Sequence, residues 1–161
     1  MGTCPLCLEL SKTPLWEDAF CQLVWVDDAD YPGFCRVVWK RHVKEMTDLD
    51  AKERRHLMSV VFAAETALRA TVRPDKVNLA SFGNAVPHLH WHIVPRWCDD
   101  RHFPNPTWGK PMREPLKRPP ADPAALRATF IVALTREAFN ENSSHHSAAQ
   151  EMERETTAPA H

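Results

Sequence analysis

No apolar run in the chain approaches the roughly 20 residues that span a bilayer, and the N-terminus lacks the charged, apolar and small-residue regions of a secretory signal. A membrane span and export are therefore set aside, and the expected location is the cytoplasm. A surplus of charge is also missing. Twenty Lys and Arg stand against 21 Asp and Glu, for a net charge of −1, so no basic field gathers a polyanion and neither nucleic acid nor a membrane surface is an expected partner. The five cysteines, Cys4, Cys7, Cys21, Cys35 and Cys98, are an odd set without secretory context. That favours thiols or metal ligands over a disulfide framework. No internal repeat is present. The chain that remains, 161 residues with 43% hydrophobic and 25% charged, suits one soluble core.

Periodicity gives the elements. Phe20 to Val26 is a β-favouring run ended by the turn residues Asp27 to Gly33, and Phe34 to Trp39 is a second, antiparallel to the first across a short Pro-Gly connection. Arg36 on this second strand faces solvent or a ligand. From Asp50 the period changes: Leu57, Val60, Val61, Ala64, Ala67 and Leu68 recur at steps of three and four, with Asp50 and Glu53 placed as a capping pair and Pro74 marking the end. Val77 to Phe82 reads as a strand, Gly83-Asn84 as a turn, and Leu89 to Val94 as a strand stopped by Pro95. Residues 99 to 120 are rich in Pro and charge and predict an irregular excursion that carries Phe103 and Trp108 against the body. Asp122-Pro123 opens a C-terminal helix through Leu126, Phe130, Ile131, Leu134 and Phe139. The expected fold is α+β, an antiparallel sheet of about five strands packed with a central and a C-terminal helix. Its domain covers residues 1–139, and 140–161 form a polar, disordered tail.

The informative segment is Asn84-Ala85-Val86-Pro87-His88-Leu89-His90-Trp91-His92-Ile93-Val94-Pro95-Arg96. Side chains alternate across a strand, so His88, His90 and His92 fall on one side, each roughly 7 Å from the next, over an apolar backing of Leu89, Trp91 and Ile93. Two chemistries suit such a row. Imidazole is a common zinc ligand, which makes a three-histidine metal centre one reading. Neutral imidazole is also a nucleophile near pH 7, which makes covalent catalysis the other.

The segment resembles the signature of the histidine triad family: Gly83-Asn84 before, His88-Leu89-His90-Trp91-His92 within, and Ile93-Val94-Pro95-Arg96 after. The resemblance extends to Pro32-Gly33, to Lys40-Arg41-His42 and to Asn78, and it is nearest the bacterial branch related to dinucleoside polyphosphate hydrolases. It implies a homodimeric enzyme that processes a small-molecule nucleotide and needs no cofactor for its chemistry. In that family the middle histidine, here His90, attacks the α-phosphorus of a phosphoanhydride or phosphoramidate, and water then hydrolyses the nucleotidyl-histidine. By the same resemblance His92 orients the phosphate and stabilises its charge, His88 buttresses the row, Asn84 and Asn78 reach phosphate or sugar, and Asp27, with Asp28 its rival, holds the ribose hydroxyls.

The chain departs from the family at three places: Asn84 replaces the usual Gln, Ala85 a frequent hydroxyl residue, and Phe34 a His. These departures leave a nucleotide-binding regulatory protein with weak turnover as the alternative function. Cys4-Pro5-Leu6-Cys7 has the two-residue spacing of a zinc knuckle but supplies half of a tetrahedral shell. Some relatives complete it with residues that match His42 and His88, which would make a structural zinc site. The other cysteines read as small core residues.

Overall fold

The computed structural model describes residues 4–9 and 13–156, with side chains as far as residue 139 in the last helix. A short helix α1 (Pro5–Glu9) leads into strands β1 (Trp16–Glu17), β2 (Cys21–Trp25) and β3 (Cys35–Trp39). The long helix α2 (Ala51–Val72) follows, then β4 (Lys76–Ala80), β5 (His90–Arg96) and α3 (Pro123–Thr156). The strands form one antiparallel sheet in the order β1-β2-β3-β5-β4. The fold is therefore the expected α+β sheet of five strands with a central and a C-terminal helix.

One face of the sheet carries the core. Cys21 and Leu23 from β2, Cys35, Val37 and Trp39 from β3, Val77 from β4 and Ile93 from β5 pack against α2, whose Leu57, Val60, Val61, Ala64, Ala67 and Leu68 are all buried. These are the positions that the helical period singled out. The first turn of α2 is closed by the Asp50–Glu53 capping box, in which each carboxylate accepts from the other residue's backbone N–H at 2.8 and 3.0 Å. Helix α3 lies beside α2, burying Leu126 and Phe130, and Phe130 meets Trp16 of β1 edge-on at 5.2 Å. Its first turn is capped by Asp122, which accepts from the Ala124 N–H at 2.8 Å. Gly33 is required where it stands: its φ is +97°, and a Cβ there would lie 2.8 Å from Val72 and 2.9 Å from Leu68.

Three sequence expectations need correction. Strand β5 does not stop at Pro95 but runs through it to Arg96. The pairing with β3 ends at Cys35 opposite Ile93, so Pro95 has a neighbour on the β4 side alone and sits as an edge residue would. Strand β1 and helix α1 were not foreseen, since two and five residues are too few for a period to show. Cys21 and Cys35 are buried thiols, whereas Cys98 is exposed.

Candidate active site

The other face of the sheet is polar in its middle. Register places Arg36 of β3 opposite His92 of β5, and His92 opposite Ala80 of β4, while His90 faces Val38. His90 and His92, 7% and 6% exposed, floor a cavity of about 420 Å³. Arg36 stands on its β3 side, Phe82 and Trp108 on its β4 side, and the loop Gly83 to Val86 at its rim. Gly83 allows that loop to turn, with φ of +133°.

The three histidines do different things. His88 lies before β5 begins, and its buried ring bonds the Trp39 carbonyl through Nε2 at 2.5 Å. Its Nδ1 faces Cys4, Cys7 and His42. The His88 carbonyl accepts from His90 Nδ1 at 2.6 Å. That proton placement leaves His90 Nε2 with a free lone pair, and this nitrogen is 3.0 Å from His92 Nε2. Burial, then the neighbouring His90 and Arg36, push the His92 pKa down to about 3, so His92 is neutral near pH 7. With His90 Nε2 as acceptor, the His92 proton resides on Nε2, and His92 Nδ1 is a buried bare acceptor without a partner among the described residues. Two links run from the cavity, His92 to His90 and His90 to the His88 carbonyl, and the His88 ring separately donates to the Trp39 carbonyl.

The three imidazoles do not converge on a common point, so the three-histidine metal reading has no geometry behind it. A metal-ligand set forms elsewhere. Cys4 Sγ and Cys7 Sγ each lie 3.4 Å from His88 Nδ1, Cys7 Sγ is 3.5 Å from His42 Nδ1, and the two Nδ1 atoms are 3.2 Å apart. All four donor atoms are within 4.8 Å of one another. A tetrahedral zinc with bonds of about 2.3 Å to sulfur and about 2.0 Å to nitrogen has N···N edges of about 3.3 Å and S···N edges of about 3.5 Å. The donors sit at such corners. The Trp39 carbonyl, by accepting from Nε2–H, leaves the lone pair on His88 Nδ1 and turns it towards the cysteines, as a carbonyl behind a metal-binding histidine does. Burial lowers the His88 pKa, which favours the neutral ligand form. Asp18, Cys21 and His56 also converge, but the carboxylate is taken up in closing the β1–β2 turn: it accepts from the Phe20 and Cys21 N–H groups at 2.8 Å and pairs with His56 Nε2 at 2.6 Å.

The remaining predicted residues divide. Asn84 and Ala85 line the cavity. Asn78 does not, because its Oδ1 accepts from Arg96 Nη1 at 2.7 Å. Arg96 is in turn held by the fully buried Asp100 at 2.6 and 3.1 Å. Asp27 and Asp28 line a separate cavity of about 320 Å³ bordered by Trp25, Arg118 and Pro120. Residue reasoning left Phe82 out of the site and gave Trp108 only a packing role. Trp108 packs edge-on against His92 at 4.9 Å and against Phe82 at 4.8 Å, and the aromatic surplus of an otherwise Pro-rich excursion was its one signal.

An antiparallel sheet carrying alternating histidines, with the central imidazole's tautomer fixed by a carbonyl and its free nitrogen at a cavity, defines a histidine triad protein. The chain belongs to the HIT domain family, whose model matches residues 8–98. A histidine triad protein from Bradyrhizobium japonicum is 31% identical, with a TM-score of 0.58 over 81% of this chain and 92% of that one. A zinc-bound histidine triad family protein from Mycobacterium smegmatis has the same fold at 22% identity, with a TM-score of 0.54 over 83% of this chain and 94% of that one. An AP-4-A phosphorylase from Mycobacterium tuberculosis is 35% identical over 78 residues, 45% of this chain. The match spans 40% of that relative's length. Among the described residues no helix is long and apolar enough to cross a membrane. The fold and family together support a nucleotide-processing HIT activity.

Proposed function

We propose that the protein is a nucleotide hydrolase or nucleotidyl transferase that acts at the α-phosphate of a nucleoside phosphoanhydride or phosphoramidate through a nucleotidyl-His90 intermediate. The observation that carries the reading is the 2.6 Å bond from His90 Nδ1 to the His88 carbonyl, which leaves Nε2 unprotonated at the cavity. In the first step a bond forms from Nε2 to phosphorus and the bond from phosphorus to the leaving oxygen or nitrogen breaks. The His90 ring becomes cationic, and the His88 carbonyl is already in place to hold its Nδ1 proton. His92 loses its acceptor when Nε2 bonds to phosphorus, so its Nε2–H turns to a phosphate oxygen and offsets charge developing there. Asn84 at the rim is a further donor. In the second step water bonds to phosphorus as the P–Nε2 bond breaks, the electron pair of that bond returns to Nε2 so that His90 is again neutral, and the water's proton passes to solvent.

The partial relative named AP-4-A phosphorylase makes a dinucleoside polyphosphate the first substrate to test. Zinc belongs to the same reading as a structural ion held by Cys4, Cys7, His42 and His88, tying the N-terminal arm to the sheet, with no part in the chemistry. Exposed Phe62, Ile131 and Val132 on α2 and α3 are apolar surface that a second copy would cover, and light scattering decides whether the chain is a homodimer. Ala85 at the cavity favours the second reading, a nucleotide sensor with weak turnover, because it cannot donate to a leaving atom. The experiment is to quench wild-type protein during turnover of diadenosine tetraphosphate and locate the adduct by peptide mass spectrometry. A nucleoside monophosphate on the His90 peptide, and its loss in His90→Ala with nucleotide binding kept, is the expected result. Tight binding with neither adduct nor product favours the sensor, and an adduct on another residue overturns the roles given to the histidines.

A further inference from the structure

Among the described residues Arg36 is the one charged side chain lining the cavity, and the mechanism above does not use it. It lies on β3 directly across from His92. Among the described residues it forms no ion pair, and its buried Nε has no hydrogen-bond partner. Its guanidinium is 5.7 Å from the Phe34 ring, a contact that holds its plane without satisfying its donors. A buried donor on a permanent cation is costly to leave unpaired, and a guanidinium matches the oxygens of a phosphate in a fork. Among the described residues no carboxylate lines the cavity. The Phe82 and Trp108 side offers no charge either, so a phosphate seated over His90 and His92 has a cation on its β3 side alone.

We infer that Arg36 determines leaving-group specificity: it binds a second, anionic phosphate beyond the reacting one, and so selects nucleoside polyphosphates over phosphoramidates. The inference rests on the nucleotidyl-transfer reading and narrows its substrate class. A polyphosphate leaving group departs as an oxyanion, and the guanidinium stabilises the negative charge that the breaking P–O bond leaves on that oxygen. An amine leaving group takes a proton from solvent as the P–N bond breaks and so departs neutral, and it gains nothing from a neighbouring cation. Burial first, then His90 and Arg36, keeps His92 neutral, which leaves Arg36 as the permanent cation among the described residues of the site.

The test compares two substrates with the same adenylyl group, diadenosine tetraphosphate and adenosine 5′-phosphoramidate, in wild type, Arg36→Gln and Arg36→Lys. The ratio of their kcat/KM values should fall by about 10- to 100-fold in Arg36→Gln, the usual worth of one charge-assisted contact, with part of it recovered in Arg36→Lys. The parallel binding arm sets a non-hydrolysable methylene-bridged dinucleotide against adenosine monophosphate, and the ratio of affinities should fall by a similar factor. Equal losses for both substrates and both ligands would place Arg36 on the nucleoside or in the fold, and an unchanged ratio would remove it from recognition. Either result overturns the inference. If wild type turns over neither substrate and forms no His90 adduct, the transfer reading fails, and the binding ratio still decides the role of Arg36.

Discussion

Replacing Asp100 by Asn tests how the segment that carries Trp108 is held to the sheet. Asp100 has no exposed surface and Arg96 is 3% exposed. Besides its two bonds to Arg96, the carboxylate accepts from the backbone N–H groups of Trp97, His102 and Phe103 at 3.1, 2.9 and 2.8 Å. Arg96 also donates to the Asn105 carbonyl at 2.8 Å. One carboxylate thus closes the turn after β5 and fixes the guanidinium that anchors the excursion beyond it. Burial alone would raise the Asp100 pKa, but the Arg96 bonds and the three backbone donors outweigh it and bring the pKa from 3.8 to about 2.

The folded value is the depressed one, so the stabilisation is full above the unfolded value near 4 and is lost as pH falls through 2. The shift corresponds to roughly 2 kcal/mol. Asn removes the charge and strands the Arg96 cation in the interior, which typically costs about 3 to 5 kcal/mol. In a chain of this length that is a fall in Tm of about 6 to 20 °C. Urea unfolding of wild type and Asp100→Asn measures it, and the double variant Arg96→Met, Asp100→Asn should recover part of the loss, because no unpaired charge remains while the Asn oxygen still accepts from the turn's N–H groups. A loss under about 1 kcal/mol in the single variant, or a double variant no better than the single, refutes the reasoning.

Cys4→Ser with Cys7→Ser should abolish zinc measured by plasma emission and lower the Tm, because hydroxyls are poor zinc ligands and metal binding is coupled to folding; wild type that cannot take up zinc disposes of the site. His92→Ala should lower kcat by about 100- to 1000-fold, typical for one charge-stabilising donor, while a His90 adduct still forms; an unchanged kcat removes His92 from the reaction. Gly33→Ala should destabilise the protein in urea unfolding, since the positive φ and the contacts with Val72 and Leu68 both oppose a Cβ. Ending the chain near Asn140 tests the proposed domain limit: Tm and activity should be kept, and a steep fall in Tm would make the distal part of α3 a packed element.

The parts legible in the sequence are those fixed by local period. Six apolar positions of α2, its capping box, the two strands around Pro32-Gly33 and the strand bearing His90 and His92 follow from alternation and turn chemistry, because burial on one face imposes that period. The parts missed depend on partners distant in sequence. Asn78 matches a family position, yet nothing local reveals that Arg96 claims its amide oxygen. Asp27 likewise lies two residues beyond the end of β2 and lines, with Trp25, a cavity separate from that of the histidines. Arg36 was legible as facing solvent or a ligand, but its place beside His92 needed the β3–β5 register.

The histidine motif itself shows how a regular pattern can hide unequal roles. Read as a strand, residues 88, 90 and 92 are equivalent, and any of them could ligate or attack. In the fold, residue 88 falls two positions before the ladder with β3 begins at Val38 and His90, and this frees its ring from the sheet face. The ring then bonds the Trp39 carbonyl on one side and the donors of Cys4, Cys7 and His42 on the other, while the His88 carbonyl takes the His90 proton. A carbonyl is available from any residue, so the need for histidine at 88 comes from its ring. The N-terminal arm and the His90 ring are therefore positioned by one residue, through its ring and its backbone respectively. A substitution at 88 acts on the arm first, whereas one at 90 or 92 acts on the cavity.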